Sequence, residues 1–414
     1  MAKSLVDQLA KKFTDHMNTA ITSSLLQSLQ CTQCGQTHSP FTSQTLSPCC
    51  QMPLVATYQL DRGVDKAELL TREKTLWRYA EVLPVLDPDN RVSLGEGFTP
   101  LLALPRLAKT QSLDRLTLKD EGLNPTGSFK ARGMSLAISK AKENGEKACI
   151  VPTAGNAGVA MAAYCARAGM EAVVVMPRHT PDAFREECLA YGATVILVDG
   201  LINDCAAKVR ELNRHGDYFD VSTLKEPYRL EGKKTMGYEI AEQLTWQLPD
   251  VIMYPTGGGT GLIGIWKAIR EMQSLGWLLP GQPLPRLVAV QAQNCCPIVD
   301  TFWGIQANSK QYIGKPTLAN GLAVPRPIGE PLILEALQES KGTAIAVSDE
   351  EMLEGVSELG RHEGIFAAPE GGALWAATKQ LLHEGWLQPN EHILLLNTGS
   401  GQKYLDNLKG IWPR

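Results

Sequence analysis

Short apolar stretches alternate with amphipathic segments from residue 115 to residue 397, and this alternation restricts the fold more than any other feature of the chain. The stretch VIMYP at 251–255, for example, is followed by the amphipathic segment 261–274. Apolar strands separated by helices are typical of parallel sheets that helices cover on both faces. Because 414 residues exceed the roughly 250–300 at which a single core stops growing, we predict an α/β fold with two lobes of parallel sheet flanked by helices.

The predicted elements follow this alternation. Strands are predicted at 115–119, 148–153, 171–177, 193–199, 251–255, 286–293 and 392–397. Helices are predicted at 128–144, 159–168, 181–191, 202–214, 229–244, 261–274, 349–360 and 370–384, with a polar helix-like segment at 67–80. Ligands of such folds bind at the loops that follow the carboxyl ends of the strands, so the candidate functional residues are sought in those loops.

Charge and composition exclude several classes of partner. The chain has 40 Lys and Arg residues against 44 Asp and Glu residues, a net charge of −4, and it has no basic block. This balance argues against nucleic acid or an anionic membrane as the main partner. No apolar run approaches the roughly 18 residues needed to span a bilayer, and the charged start MAKSLVDQLAKKF is unlike a secretory signal. We therefore expect a cytoplasmic protein.

Four cysteines lie close to the amino terminus. Cys31 and Cys34, in CTQCG, have the spacing of the first half of a zinc ribbon. The second half, Cys49 and Cys50, is irregular, because Ser47 stands where a second CxxC pair needs a cysteine, and adjacent residues do not easily both reach a tetrahedral metal. Two interpretations stay open: a structural zinc bound by all four cysteines, or a degenerate site whose thiols only pack.

Proline and glycine mark a domain boundary at 85–95, around the start of the segment LGEGFTPLL. We therefore predict an N-terminal extension over residues 1–90, which includes a zinc-ribbon-like segment at about 29–58. The remaining residues, 91–414, are predicted to form the main domain, whose smaller lobe covers about 130–240.

The glycine-rich loop TGGGTGLIG at 256–264 follows a predicted strand and opens a predicted helix. Backbone N–H groups at such a position bind phosphate groups well. Gly259, Gly261 and Gly264 also satisfy the GxGxxG pattern of dinucleotide sites, but the strand at 286–293 has no acidic residue that would bind a ribose. The favoured ligand is therefore a monophosphate, bound by Gly257, Gly258, Gly259, Thr260 and Gly261.

Lys130 stands in the first turn of the predicted helix 128–144, directly after the turn-forming sequence NPTGSF. A cation at this end opposes the helix dipole, which lowers the proton affinity of the amine. Only a neutral amine attacks a carbonyl, so the position suits a lysine that forms an imine. The alternative is a solvated surface lysine.

A second strand-to-helix loop, TAGNAG, covers residues 153–158. Free N–H groups at the start of its helix suit a carboxylate, and the amide of Asn156 suits a ring oxygen. An imine-forming lysine, a phosphate-binding loop and a carboxylate-binding loop together describe pyridoxal 5'-phosphate bound with a small amino acid.

These motifs resemble those of fold type II pyridoxal phosphate enzymes. NPTGSFK resembles the motif around the cofactor lysine, and LGEGFTPL, LKDEGLNPTGSFKARG, TAGNAG, PYRLEGKKTMGYEIAEQL and NTGSG are most similar to the threonine synthase family. The resemblance extends over most of residues 90–405, and the zinc-ribbon-like extension belongs to it. It implies that residues 91–414 form a catalytic domain that converts O-phospho-L-homoserine and water to L-threonine and phosphate. It also implies a homodimer.

The resemblance implies roles for individual residues. Lys130 would carry the cofactor as a Schiff base and act as the catalytic base. Asn156 would lie beside the 3-hydroxyl of the cofactor, Thr398 would meet its pyridine nitrogen, and the loop Gly257 to Gly261 would surround its phosphate. The substrate carboxylate would be oriented by Thr153, Ala154 and Gly155. Candidate cations for the substrate phosphate are Lys119, Arg132, Arg178, Arg185, Lys225, Lys233 and Lys234.

Three features depart from the pattern of many threonine synthases. Ala131 follows the cofactor lysine where aspartate is common, the loop GGGTG is closer to that of threonine and serine dehydratases, and segment 177–193 lacks a lysine-rich run. Three alternatives therefore stay open. They are a threonine or serine dehydratase, a β-replacement enzyme of the cysteate or cysteine synthase kind, and a homologue that binds the cofactor without turnover.

Overall fold

The computed structural model of the protein describes residues 24–408. Residues 1–23, with which the predicted N-terminal extension begins, and residues 409–414, which end the predicted main domain, lie outside the described residues. No helix in the described part of the chain combines the length and the apolar character that crossing a bilayer requires.

The segment with the four cysteines forms a small antiparallel sheet. Its strands are β1 (Leu26–Cys31), β2 (Thr37–His38) and β3 (Leu54–Tyr58), in the spatial order β2–β1–β3. Residues of β3 alternate between buried and half-buried positions, as in a strand that packs on one face. Leu29 and Leu54 share a buried cluster with Met134 of the main domain, so this sheet packs against that domain.

The largest sheet is parallel except at one edge. Its strands are β4 (Leu101–Ala103), β5 (Arg115–Asp120), β10 (Val251–Pro255), β11 (Arg286–Ala292), β12 (Thr343–Val347) and β13 (His392–Asn397). Their spatial order is β12–β11–β10–β13–β5–β4, and only β4 runs antiparallel to its neighbour. Every residue of β10 and of β13 is buried, because helices cover both faces of the sheet.

A second parallel sheet lies between β5 and β10 in the chain. Its strands are β6 (Ala148–Pro152), β7 (Glu171–Pro177), β8 (Thr194–Val198) and β9 (Phe219–Asp220), in the order β8–β7–β6–β9. The two parallel sheets confirm the predicted α/β class with two groups of parallel strands. Residues 148–220, which hold the smaller sheet, fall inside the range predicted for the smaller lobe.

Helices follow most of the strands. They are α1 (Pro105–Thr110), α2 (Lys130–Glu143), α3 (Asn156–Ala168), α4 (Asp182–Ala190), α5 (Ile202–Leu212), α6 (Tyr228–Gln243), α7 (Thr260–Ser274), α8 (Pro297–Phe302), α9 (Glu330–Glu339), α10 (Asp349–Glu363), α11 (Pro369–His383) and α12 (Leu405–Leu408). Each predicted helix from 128 to 384 is present, with ends that differ by a few residues.

Prediction and structure differ in several places, and the short elements β4, β9, α1 and α8 were not predicted. The predicted polar helix at 67–80 is two 3₁₀ helices, Lys66–Thr71 and Leu76–Val82, and the second is buried, so the prediction of a polar helix is wrong. The strand β12, with the sequence TAIAV, is missed because two alanines weaken its β signal. The helix α9 is also missing from the sequence prediction.

Candidate active site

A cavity of about 450 Å³ opens where the carboxyl ends of β6, β10 and β13 come together. Its wall includes the loops that follow these three strands, which are the positions where ligands of parallel sheets bind. The predicted site residues that line it are Lys130, Thr153, Ala154, Gly155, Asn156, Gly257, Gly258, Gly259, Thr260 and Thr398. The fold therefore gathers three loops that are far apart in the sequence around one lysine.

Lys130 is the first residue of α2, and its side chain is partly buried. Its Nζ lies 3.9 Å from the centroid of the Phe129 ring. Burial lowers the pKa of Lys130 to about 7, and the positive charge of Arg229 contributes to the decrease. A large fraction of this amine is therefore neutral near pH 7, as a nucleophile that attacks an aldehyde requires.

The turn before Lys130 fixes where the amine emerges. Thr126 has a φ of 60°, which is left-handed, and the carbonyl of Gly127 accepts a hydrogen bond of 3.0 Å from the N–H of Ser400. The N–H of Phe129 donates to the carbonyl of Thr398 at 3.1 Å. The turn is thus tied to the loop after β13. Phe129 is the N-cap residue of α2, and no side chain caps this end of the helix.

The glycine loop opens α7, whose first residue is Thr260. Gly259 has a φ of 73°, a conformation that favours glycine. A Cβ atom at Gly257 would collide with the carbonyl of Gly321, and one at Gly261 would collide with the phenol of Tyr254. The glycines are therefore required for close packing, and the start of α7, where the first N–H groups have no partner within the helix, lies on the cavity wall.

Asn156 is the first residue of α3, and its side chain reaches the loop after β13. If Gly399 carried a Cβ atom, that atom would lie 3.8 Å from the Nδ2 of Asn156. Its Oδ1 is buried and has no hydrogen-bond partner among the described residues. The hydroxyl of Thr153 accepts a hydrogen bond of 3.2 Å from the N–H of Gly155. That N–H is therefore engaged, so a carboxylate would have to compete for it or use the N–H groups that follow it in α3.

Three charged residues that sequence reasoning did not propose also line the cavity: Arg229, Lys315 and Glu370. Arg229 in α6 is 1% exposed, and one of its terminal nitrogens donates to the carbonyl of Val221 at 2.5 Å. Its Nε and its other terminal nitrogen find no partner in the described part of the chain. Burial is the main reason that the pKa of Arg229 is lowered. These two nitrogens are free to bind an anion.

Glu370, in the first turn of α11, is another of these residues. Its Oε1 accepts hydrogen bonds from the N–H of Gly321 at 2.8 Å and from the hydroxyl of Tyr404 at 2.9 Å. Its Oε2 is buried and has no partner among residues 24–408. Burial raises the pKa of Glu370. The sequence did offer a signal, because this acid interrupts the apolar run AAPEGGALWAA.

The structure does not bring Lys119 into the cavity. Its Nζ donates to the carbonyl of Thr99 at 2.8 Å and lies 2.9 Å from a carboxylate oxygen of Glu239. Arg132 is fully buried in the same network, where its guanidinium pairs with Glu121 and Glu239 at 2.5 Å. Burial alone would raise the pKa of Glu239. The positive charges of Arg132 and Lys119 outweigh this effect and lower that pKa to about 2. These cations are occupied by protein carboxylates instead of facing a ligand.

Of the other cations proposed for a substrate phosphate, some pair with protein carboxylates away from the cavity and one lines the cavity. Arg178 pairs with Asp199 at the surface, and Lys234 is buried between Glu231 and Glu271. Lys233 lines the cavity and donates a hydrogen bond of 2.7 Å to the hydroxyl of Thr260. The candidates that the structure describes and places outside the cavity lining are Lys119, Arg132, Arg178, Arg185, Lys225 and Lys234.

The four N-terminal cysteines form a separate cluster. The thiol sulfurs of Cys31, Cys34, Cys49 and Cys50 all lie within 4.8 Å of one another. The adjacent pair is followed directly by Gln51, whose φ of 54° is left-handed. Both adjacent cysteines therefore belong to one cluster with Cys31 and Cys34.

Two further observations describe the cysteine cluster. A hydrogen bond to Ser47 is the main cause that lowers the pKa of Cys31 to about 6. The Nε2 of His38 lies 3.6 Å from the sulfur of Cys49. Thiolates at this spacing are the ligands that zinc prefers, so a zinc site stays a prediction.

The main cavity fits pyridoxal phosphate and an amino acid. Buried polar groups are nearly always hydrogen-bonded, so unpartnered atoms of Asn156, Arg229 and Glu370 around one cavity indicate a polar ligand. The glycine loop offers a phosphate site, and Lys130 offers an amine of which a large fraction is neutral near pH 7. The wall of the cavity therefore offers one group for the phosphate, one for the aldehyde and several for the polar atoms of the cofactor and the amino acid.

Comparisons with known proteins agree with this geometry. The family described as "Pyridoxal-phosphate dependent enzyme" matches residues 92–399, and the chain belongs to this family. Within it, the chain is similar to the threonine synthase of Methanocaldococcus jannaschii, with 35% identity over 90% of this chain and 92% of the relative. It is also 37% identical to the threonine synthase of a Synechocystis species, over 78% of this chain and 82% of the relative.

One solved structure illustrates the fold. The processed form of threonine deaminase isoform 2 from Solanum lycopersicum superposes with a TM-score of 0.65 and covers 91% of this chain and 99% of its own. The identity is 18%, so this likeness concerns the fold alone.

Proposed function

We propose that this chain converts O-phospho-L-homoserine and water to L-threonine and phosphate. The observation that carries the proposal is Arg229, a buried guanidinium with two unpartnered nitrogens on the cavity wall. A substrate phosphate supplies the anion that such a group binds best. Threonine and serine have no phosphate, so in a dehydratase the cofactor phosphate would be the one phosphate in the cavity and no substrate phosphate would meet this cation. The similarity to threonine synthases supports the same substrate.

The cofactor is proposed to bind across the three loops. The glycine loop from Gly257 to Gly261 would hold the phosphate, Asn156 would face the 3-hydroxyl, and Thr398 would meet the ring nitrogen. When bound, pyridoxal phosphate supplies an aldehyde that joins the substrate amine and a ring that stabilises negative charge at the substrate Cα. The carboxylate of the substrate is assigned to Thr153, Ala154 and Gly155.

The side chains of this chain would then move the protons and hold the charges. The amine of Lys130, a large fraction of which is neutral near pH 7, would take a proton from Cα and then one from Cβ, so that phosphate can leave Cγ, and would return protons at Cγ and at Cα. Arg229 would bind the substrate phosphate and stabilise its charge as it leaves Cγ. Water would add at Cβ. The free oxygen of Glu370 is placed to accept a hydrogen bond from a protonated group of the ligand.

A substrate panel tests the proposal. The purified protein, loaded with pyridoxal phosphate, is supplied in turn with O-phosphohomoserine, threonine, serine and O-phosphoserine, and phosphate, threonine and 2-oxo acids are measured. We expect equal amounts of threonine and phosphate from O-phosphohomoserine, and no turnover in the Lys130→Ala variant. Rapid 2-oxobutyrate formation from threonine, without phosphate release from O-phosphohomoserine, would show a dehydratase instead.

We also propose the features that accompany this function. The protein is inferred to be a homodimer in the cytoplasm, with an extension over residues 1–90, a catalytic domain over 91–414 and a structural zinc on the four N-terminal cysteines. The packing of the cysteine-bearing sheet against the main domain supports a structural role for that module. Sedimentation equilibrium on the purified protein tests the dimer, and a mass equal to one chain would contradict it.

A further inference from the structure

We propose that Lys233 is the counter-cation of the cofactor phosphate, so that its ammonium and the glycine loop Gly257 to Gly261 together bind one phosphate monoester. The inference rests on the family assignment of the cofactor and deepens the proposed function. It concerns a side chain on a helix, whereas the phosphate site predicted from the sequence consists of one loop.

The position of Lys233 ties it to the phosphate loop. The residue lies within α6 and is 1% exposed, yet it lines the cavity. Its Nζ donates a 2.7 Å hydrogen bond to the hydroxyl of Thr260, the residue that starts α7 directly after Gly259. A Cβ atom at Gly264 would come within 2.9 Å of the backbone nitrogen of Lys234, so α6 and α7 pack backbone to backbone here. This close packing is what brings the ammonium to the loop.

Lys233 differs from the neighbouring lysine in its lack of a carboxylate partner. Lys234 lies 2.5 Å from Glu231 and 2.9 Å from Glu271. For Lys233, no Asp or Glu oxygen of the described residues lies within 4.0 Å of the Nζ. A buried ammonium without an opposite charge is costly, because burial removes the hydration that stabilises it. The positive charge of Lys233 therefore has to be balanced by an anionic ligand, or it is removed when the amine loses its proton.

The surroundings of Lys233 favour an anion with more than one charge. Lys130 and Lys233 lie against the same ring, with their Nζ atoms 3.9 and 5.3 Å from the centroid of Phe129. Arg229 lies one helical turn before Lys233 and lines the same cavity. Burial, together with the charges of Arg229 and Lys130, holds the pKa of Lys233 well below its usual range, and Glu226 offsets this only in part. A phosphate dianion beside the loop would compensate this excess of positive charge.

Two phosphate monoesters could use this cation, the cofactor and the substrate. The hydrogen bond to Thr260 favours the cofactor, since Thr260 belongs to the loop assigned to the cofactor phosphate. The two free nitrogens of Arg229 make no hydrogen bond to that loop in the described part of the chain, so Arg229 is left for the substrate phosphate. Two cations of the same helix, Lys233 and Arg229, thus bind two different phosphates.

The test compares pyridoxal 5'-phosphate with pyridoxal, which lacks the phosphate. Apoprotein of the wild type and of the Lys233→Gln, Lys233→Met and Lys208→Gln variants is titrated with each compound, and the dissociation constants are read from absorbance. Lys208 pairs with Glu211 at the surface and serves as the matched control. We expect both Lys233 variants to bind pyridoxal 5'-phosphate about tenfold more weakly or worse, because a charge-assisted hydrogen bond is lost. Their affinity for pyridoxal should stay within about twofold of wild type, as a loss confined to the phosphate requires.

The outcomes separate the possible roles. If pyridoxal and pyridoxal 5'-phosphate lose affinity equally, Lys233 only supports the packing of α6, and the proposal fails. If the affinity for pyridoxal 5'-phosphate is unchanged while the KM for O-phosphohomoserine rises, the cation serves the substrate, and the proposal also fails. Melting curves of both variants identify any that does not fold. The titration needs no turnover, so it decides the role of Lys233 even if the wild type makes no threonine.

Discussion

The phenol of Tyr58, at the end of β3, donates a hydrogen bond of 2.8 Å to a carboxylate oxygen of Glu231 in α6. The same carboxylate lies 2.6 Å from the ammonium of Lys267 and 2.5 Å from that of Lys234. The cysteine-bearing sheet is thereby fastened to the helix that carries Arg229 and Lys233. The N-terminal extension thus helps to hold the cationic wall of the cavity in place.

Replacing Tyr58 by phenylalanine should weaken this link. The buried carboxylate of Glu231 would lose one donor and keep its two ammonium partners, so we expect the free energy of unfolding to fall by about 1–2 kcal/mol. Urea denaturation measures the change. The matched control is Tyr191→Phe, because Tyr191 also donates to a carboxylate, that of Glu187, but at the surface. Its effect should stay within about 0.5 kcal/mol, and an equal effect of both variants would contradict a special role for Tyr58.

The lowered pKa of Lys130 predicts how attachment of the cofactor depends on pH. Only the neutral amine attacks the aldehyde, and this form predominates above about pH 7. The rate at which pyridoxal phosphate becomes attached to the apoprotein should therefore rise with pH below 7 and level off above it. Stopped-flow absorbance measures the rate, and Lys130→Ala serves as the control without attachment. A rate that keeps rising steeply to pH 10 would show an ordinary lysine.

Removal of the Arg229 guanidinium should affect the substrate more than the cofactor. In Arg229→Met we expect the KM for O-phosphohomoserine to rise roughly 10- to 100-fold, because a charge-assisted contact to its phosphate is lost. The affinity for pyridoxal phosphate should change little. Steady-state kinetics and absorbance titration measure the two quantities. Arg178→Met, which removes a surface guanidinium paired with Asp199, should leave both unchanged.

The cysteine cluster predicts a measurable metal content. The protein produced in the presence of zinc should contain about one zinc ion per chain, because four thiol ligands make one tetrahedral site. Cys34→Ser and Cys49→Ser should lose the metal and melt at a lower temperature. Cys205→Ser, which alters a buried thiol of α5, should keep it. Zinc-free wild-type protein, measured by elemental analysis, would show that these thiols only pack.

Gly257 should not tolerate a side chain. In Gly257→Ala the added Cβ would meet the carbonyl of Gly321, so we expect a loss of about 1–3 kcal/mol in the free energy of unfolding. The affinity for pyridoxal phosphate should fall with it. The control is Gly360→Ala in α10, where the nearest atom to the added Cβ lies 4.0 Å away. Alanine is the better helix former, so this variant should gain up to about 1 kcal/mol. A stable Gly257→Ala that binds the cofactor normally would contradict the role of the loop.

The sequence was a good guide wherever the determining pattern was local. Strands such as β10 and β13 are continuous apolar runs, and the loops after them are rich in turn-forming residues. The strands and the loops could therefore both be predicted. The place of Lys130 at the start of α2 follows from the turn before it in the same way. Weak local patterns gave errors. The segment at 67–80 has the pattern of one polar helix, but it folds as two 3₁₀ helices, and the residues of the second one are buried.

The local sequence pattern did not distinguish lysines that line the cavity from lysines that pair with buried carboxylates. Lys119 lies next to the carboxyl end of strand β5, close to where ligands bind in such folds, yet its ammonium pairs with Glu239, which lies 120 positions further along the chain. Lys233 and Lys234 are adjacent and chemically identical, but one faces the cavity and the other is buried between two carboxylates. Their roles depend on which residues of other helices lie opposite, and a single sequence does not contain that information.

The sequence by itself determined the α/β class, the order of the strands and helices, and the lysine and glycine loop of the site, because each depends on residues that are neighbours in the chain. Only the tertiary structure decided which charges line the cavity, that Glu370 and Arg229 belong to it, and that four cysteines meet at one point. Electrostatic partners are chosen by distance in space, and that distance is fixed only when the sheets and helices pack together.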